Sequence, residues 1–193
     1  PVVAHFSDIE TKLITRVHRV VWCNMATVDA QGRPRSRIIH PTHWESATGW
    51  IATHRTSFKN RHLTANPYIS LAYIADISQP VYVDCRAAWA DDPVDKQRVW
   101  ALFMAAPAPL GYDPAPFFVA PDHPTFGVLR LTPWRIAVVT QSPPESLVCA
   151  ESFKLLLAVN DESPASPPGA SNEERSTMGG PDNLAVHIAS SVD

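Results

Sequence analysis

Glycine is scarce in these 193 residues, 7 against 19 prolines, and no Gly-rich P-loop or G-x-G-x-x-G turn occurs. The common phosphate-cradling loops of nucleotide enzymes are thereby excluded as the route to an anion site. Cysteine is scarcer: Cys23, Cys85 and Cys149 are odd in number, scattered and set among apolar neighbours. Neither a disulfide framework nor a paired zinc knuckle is expected from them. No apolar run approaches the ~18 residues of a membrane-spanning helix, and no signal peptide is expected ahead of Ser7. A reducing cytoplasm is the expected setting. No serine sits in a G-x-S-x-G elbow, so a hydrolase has no support. Charged residues make up 18% of the chain, and Val99 to Leu129 holds no Lys or Arg at all.

What is present is enough for one full core: 45% of the residues are hydrophobic. Charge is unevenly divided. Residues 1–140 carry net +3 and residues 141–193 net −6, within a total of −3. The second segment contains Ser163-Pro164-Ala165-Ser166-Pro167-Pro168-Gly169 and Gly179-Gly180-Pro181, too little apolar surface to order itself. One domain is therefore expected over 1–140, followed by an acidic, Pro/Ser-rich, loosely ordered tail. Within that tail only 152–159, with Phe153 and three leucines, has the makings of a short helix or strand.

Hydrophobic periodicity predicts the elements of the body. Ser7-Asp8-Ile9-Glu10 has the form of a capping box, and Ile9, Leu13, Val17 and Val20 recur at helical spacing, predicting a helix over 8–19. Strands follow at 21–28 and 34–40, joined by Asp29-Ala30-Gln31-Gly32, whose last residue suits a hairpin. Further strands are predicted at 49–53, 68–74 and 81–90, the last with Val81, Val83, Cys85 and Ala87 on one face. A short helix is placed at 57–65. Another follows Asp91-Asp92-Pro93, whose acids and proline suit a first turn, and Val99, Leu102 and Phe103 give it a buried stripe. Two last strands, 126–132 and 134–140, flank Pro133. Six or seven antiparallel strands and three helices make the chain mainly β (α+β), a small closed barrel with helices packed outside it.

The strongest functional signal is cationic. Between Arg33 and His62 lie Arg33, Arg35, Arg37, Arg55, Lys59 and Arg61 against a single acid, Glu45. Arg35 and Arg37 project to one side of a predicted strand. Thr53-His54-Arg55-Thr56-Ser57-Phe58-Lys59 reads as a strand end, a hydroxyl N-cap at Thr56 or Ser57, and the start of the short helix. Unpaired N–H groups, the positive dipole end and charged side chains together suit a phosphate. The patch is short and lacks a recognition helix or stacking aromatics, so no nucleic-acid partner is expected.

The order strand, glycine turn, strand with Arg35-Ser36-Arg37-Ile38-Ile39-His40-Pro41, strand, then Thr53…Ser57-Phe58-Lys59 resembles the pyridoxamine 5′-phosphate oxidase-like family. So do Trp50-Ile51-Ala52-Thr53-His54-Arg55, Asn66-Pro67-Tyr68-Ile69-Ser70-Leu71, Val81-Tyr82-Val83-Asp84 and Leu131-Thr132-Pro133-Trp134-Arg135. The likeness runs from about the first helix to Thr140. It implies an antiparallel split β-barrel with flanking helices, binding FMN or the deazaflavin coenzyme F-420. By this resemblance Arg37, Ser57 and Lys59 contact the cofactor phosphate, and Thr53 lines the phosphate and ribityl chain. Ile38 and Ile39 run beside the ring, offering backbone groups. Arg35, Arg55 and Arg61 are the further cations a longer deazaflavin tail would use. Gln79 falls near the family's polar side chain that reaches the ring from a partner subunit, which implies a homodimer with the cofactor at its interface.

One departure matters. The true oxidase grips its substrate's phosphate with basic and hydroxyl side chains after the fifth strand, where this chain has no cation between Val99 and Leu129. Trp100, Phe103, Tyr112, Phe117, Phe118 and Phe126 stand there instead, which suits an apolar or aromatic substrate, or none, so the vitamin B6 reaction is not implied. The expected activity is hydride transfer between FMN, or the deazaflavin, and a small organic substrate, with no side chain assigned as acid or base. Two alternatives stay open: a carrier or sensor that binds the cofactor without turnover, and a haem protein using His40, His43 or His54. Pro41 between His40 and His43 argues against a shared face, and no metal site is expected from that pair.

Overall fold

The computed structural model describes residues 5–40 and 42–141, and the backbone of 153–159. Helix α1 (Ser7–Val17) leads into a hairpin of β1 (Cys23–Val28) and β2 (Pro34–Ile39). A second hairpin joins β3 (Thr42–Glu45) to β4 (Thr48–His54). Then come α2 (Lys59–Ala65), β5 (Tyr68–Tyr73), β6 (Val81–Trp89), α3 (Pro93–Ala105), the one-turn α4 (Ala115–Phe118), β7 (Phe126–Gln141) and β8 (Phe153–Val159). The strands pair antiparallel in the order β2-β1-β5-β6-β7-β4-β3, with β8 added along β7. The result is a split barrel carrying helices on its outside.

Alternation explains the barrel interior. Met25, Leu71, Val83, Leu131 and Ile51 all turn inward and are wholly buried, together with Val81 and Cys85. Helix α1 closes this core with Ile9, Leu13 and Val17, each worth about 1.5–3 kcal/mol on burial. The expected capping box does not form: Phe6 occupies the capping position without a side-chain bond. Asp8 instead accepts from the backbone N–H of His5 at 3.2 Å. Helix α3 begins as its acids and proline predict, with Asp92 accepting from the Val94 N–H at 2.7 Å.

A second apolar layer lies outside the barrel. Strand β4 is buried on both faces because Trp50 and Ala52, opposite to Ile51, meet Val99, Trp100 and Phe103 of α3. Phe118 of α4 and Phe126 and Val128 of β7 complete that layer. Gly127 has no Cβ, and one there would meet the Trp89 ring at 2.7 Å. That close approach holds Trp89 against the β4–β7 pair.

Two strands differ from expectation. β3 is a separate short strand, too brief and polar to announce itself. It is fixed by the Trp44 N–H on His18 Nε2 at 3.0 Å and the Trp44 indole N–H on the Tyr73 hydroxyl at 3.1 Å. The two strands expected around Pro133 are one continuous β7; a register shift opposite, between Asp84 and Cys85, lets the ladder pass a residue that has no N–H to donate. The 153–159 backbone, within the stretch expected to make a short helix or strand, pairs with Arg135–Gln141 as β8. The rest of the expected tail lies outside the described residues. Among the described residues, no helix is long and apolar enough to cross a membrane.

Candidate functional site

β2 is an edge strand, and its pairing with β1 decides where its side chains go. Met25 faces Arg37 and Thr27 faces Arg35, which puts both arginines on the face of the inward residues. Arg35 is exposed, whereas Arg37 is half-buried. One arm of Arg37, Nη2, donates to Thr27 Oγ1 at 2.8 Å; the other, Nη1, is buried with no hydrogen-bond partner. Thr27 Oγ1 also lies 2.8 Å from Nδ1 of His62, tying β1 to both β2 and α2.

Lys59 approaches from the start of α2. Its Nζ donates to Thr53 Oγ1 and to Ser57 Oγ, each at 2.7 Å, and Ser57 Oγ donates to the His54 carbonyl at 2.8 Å. Of the three ammonium protons, two are used in these bonds. Burial, and then the charge of Arg37, push the Lys59 ammonium down to about 8. Arg37 is lowered in the same way, by burial first and Arg35 second. Among the described residues no carboxylate lines the cavity these groups face. The helix-end element of the sequence expectation is corrected. Neither Thr56 nor Ser57 caps α2, Phe58 holds that position without a side-chain bond, and a seven-residue helix adds little dipole. The cation cluster stands on side chains alone.

The cavity measures about 260 Å³ and carries Ile38, Ile39 and Ala52 between two kinds of wall. Arg37, Thr53 and Lys59 make the cationic one. The other is aromatic: Trp22, His40, His54, Tyr112, Phe117 and Phe118. The His40 ring meets Trp22 edge-on at 4.7 Å and Tyr112 at 4.3 Å. Burial lowers the His40 pKa and raises that of the Tyr112 hydroxyl, so both rings are uncharged near neutrality.

Arg37, Ile38, Ile39, Thr53 and Lys59 thus share one cavity, and Ser57 supports it from behind Lys59. Arg35 stays outside the wall. Arg55 turns away: it grips Asp91 with two bonds of 2.9 and 3.0 Å, reaches Asn60 Oδ1 at 2.8 Å, and stacks 4.4 Å from the Trp89 ring. Gln79 sits in a different depression of this chain, with Arg16, Arg19 and Asp76. His43 is apart from His40, packed against His18 at 4.8 Å. Sequence reasoning missed Trp22, Ala52 and Thr27. Thr27 had a signal, a hydroxyl at an inward position of a strand beside the basic one.

A family model described as pyridoxamine 5′-phosphate oxidase matches residues 10–140. Among curated proteins, none matches the sequence. Solved structures share the fold. A pyridoxamine 5′-phosphate oxidase-related, FMN-binding protein from Nostoc punctiforme is 17% identical, with a TM-score of 0.56, covering 83% of this chain and 93% of its own. A NimC/NimA family protein from Clostridium acetobutylicum is 13% identical, TM-score 0.58, covering 80% and 94%. The haem storage protein HutZ from Vibrio cholerae is 18% identical, TM-score 0.51, covering 67% and 94%.

Proposed function

Because the chain belongs to the pyridoxamine 5′-phosphate oxidase family, we propose that it is an oxidoreductase binding FMN, with the deazaflavin coenzyme F-420 as the alternative cofactor. The observation that carries this reading is a cation pair with no counter-ion beside it among the described residues. Arg37 has a buried, unpartnered N–H and Lys59 sits among hydroxyls with a spare proton, both in a cavity that no carboxylate among the described residues lines. A buried unpaired donor costs about 1–3 kcal/mol, more when charged, and a phosphate relieves it. Arg37, Thr53, Ser57 and Lys59 would hold the phosphate, and Ile38 and Ile39 on the free edge of β2 would orient the ring. Bound there, the cofactor supplies hydride transfer to or from a small organic substrate.

A homodimer fits the same cavity. At about 260 Å³ it is below the ~300–1,000 Å³ usual for ligand pockets. Three of its wall residues, Trp22, Ile38 and Phe117, are more than half exposed. A second copy laid over them would enlarge and close the site, and a partner's Gln79 loop is the proposed contribution. The buried, unpaired thiols Cys23 and Cys85 agree with a cytoplasmic setting.

The absorption spectrum of the purified protein, followed by titration with FMN and with the deazaflavin, tests the reading. Micromolar or tighter binding of either supports it, and binding of neither removes it. One observation favours haem as a second reading: His40 lines the cavity with Nδ1 unpartnered. A Soret band would report it. A cofactor that binds but is never reduced by NAD(P)H or reoxidised by an acceptor would indicate a carrier or sensor.

A further inference from the structure

The aromatic wall of the cavity is built rather than loose. Three of its rings come from the segment between α3 and β7, far in sequence from the cations. Phe118 is anchored in the outer apolar layer against Phe126, 5.3 Å between ring centres. Tyr112 is held by its backbone N–H on the Phe103 carbonyl at 3.1 Å. The residue after Phe118, Val119, has φ +71° and ψ −62°, with the Ala120 N–H bonded to the Phe118 carbonyl at 2.9 Å. That is a γ-turn of the rare positive-φ kind, strained for a β-branched residue. Strain of this sort persists where the surrounding packing over-determines it, and it gathers at ligand sites.

The wall sets Trp22, Tyr112, Phe117 and Phe118 beside the imidazoles of His40 and His54. Phe117 and Trp22 remain 54% and 59% exposed at its rim, with His40 and Tyr112 between them. Among the described residues no acid lines the cavity, and its two cations, Arg37 and Lys59, are the groups proposed to hold the cofactor phosphate. With a cofactor phosphate on Arg37 and Lys59, an anion placed among the rings would lose its water for at most an imidazole contact to His40 or His54, and would lie beside the bound phosphate's own charge. A flat uncharged ring would meet the wall edge to face or in offset stacks.

We propose that this aromatic wall is a binding subsite for a flat, uncharged aromatic molecule, and that it discriminates against the same ring bearing a carboxylate, sulfonate or phosphate. Calling that molecule the substrate rests on the oxidoreductase reading above; the subsite itself does not.

Equilibrium dialysis with naphthol and the corresponding naphthalenesulfonate tests the subsite on full-length, FMN-loaded protein. Naphthol is expected to bind at least about tenfold tighter. Tyr112→Ala and Phe117→Ala should each weaken naphthol about fivefold or more while changing FMN affinity less than about threefold. Equal binding of the two probes, or tighter binding of the sulfonate, overturns the inference. So does a parallel loss of FMN affinity in the variants, which would give the rings to the cofactor. Phe117→Leu, which keeps apolar volume, guards against a folding defect and should lose naphthol binding while melting like the parent. If the protein binds neither FMN nor the deazaflavin, the oxidoreductase reading fails on its own. Naphthol dialysis in phosphate buffer then decides the subsite: saturable binding lost in Tyr112→Ala upholds it, and unsaturable binding ends it.

Discussion

The cationic part of the cavity is held by hydrogen bonds between residues close in the chain, and the aromatic part by packing between segments far apart. Arg37, Thr53, Ser57 and Lys59 lie within two hairpins and the turn that follows, tied through Thr27, Thr53 and Ser57 hydroxyls. Trp22 and His40 flank the β1–β2 hairpin, where Cys23 pairs with Ile39, and they meet Tyr112 and Phe117 from the distant segment between α3 and β7. The first part depends on polar partners and so responds to charge and pH. The second depends on the outer apolar layer and responds to shape. Arg55 sharpens the contrast from within the cationic stretch: an acid from elsewhere, Asp91, has turned it from a ligand-facing group into a structural clamp.

The largest expected effect breaks or upholds that division among the cations. Lys59→Ala and Arg37→Ala should each weaken FMN binding by about 1.5–3 kcal/mol with little change in melting temperature. Arg55→Ala should do the reverse. It loses a partly exposed ion pair and a ring stack, costing about 1 kcal/mol of stability, and leaves FMN affinity within about threefold. Fluorescence titration and thermal melting read both quantities. Equal losses of affinity in Arg55→Ala and Lys59→Ala would erase the distinction drawn here.

A smaller effect lies in pH. The Lys59 ammonium is lowered to about 8, so the unliganded protein loses that proton as pH rises through 8, while a bound phosphate favours keeping it. Affinity for a phosphate-bearing cofactor should therefore be steady below pH 7.5 and fall above 8, by up to about tenfold per pH unit. Lys59→Arg stays protonated and should flatten the fall. The sign for folding is opposite. In the free protein the charged amine is disfavoured by burial, so its contribution to stability improves, rather than declines, between pH 8 and its ordinary range. A cofactor affinity that does not move between pH 7 and 9.5 would mean Lys59 does not face the phosphate.

This difference between the two walls also explains what could be read from the sequence. The barrel was legible because alternation is local: Val81, Val83, Cys85 and Ala87 announce an inward face without knowledge of any partner strand. The cation cluster was legible for the same reason, being written within thirty residues. What sequence could not tell was which cations are neutralised, because that depends on Asp91 reaching back to Arg55. Nor could it tell that Pro133 lies inside one strand, since the shift that accommodates it is on β6. The aromatic segment showed its composition but not its destination. Its rings reach the cavity only through the burial of Phe118 and Phe126 beneath α3.

The smallest effect concerns how that aromatic wall is held. Val119 sits at φ +71° and is 67% exposed, so replacing it removes little buried surface. Backbone strain of this kind costs about 1–3 kcal/mol. Glycine adopts the same angles without a Cβ clash, at an unfolded-state entropy cost of about 0.5–1 kcal/mol. Val119→Gly should therefore melt at or above the parent, a net gain near 1 kcal/mol. Val119→Ala keeps the Cβ and the strain and should show no such gain. Because Phe118 is fixed by the outer layer rather than by Val119 itself, cofactor affinity should be unchanged in both variants. An equal gain in Val119→Ala would trace the effect to the side chain rather than the backbone. A loss in Val119→Gly would mean that valine's stiffness, not packing around Phe118, is what sets the wall in place.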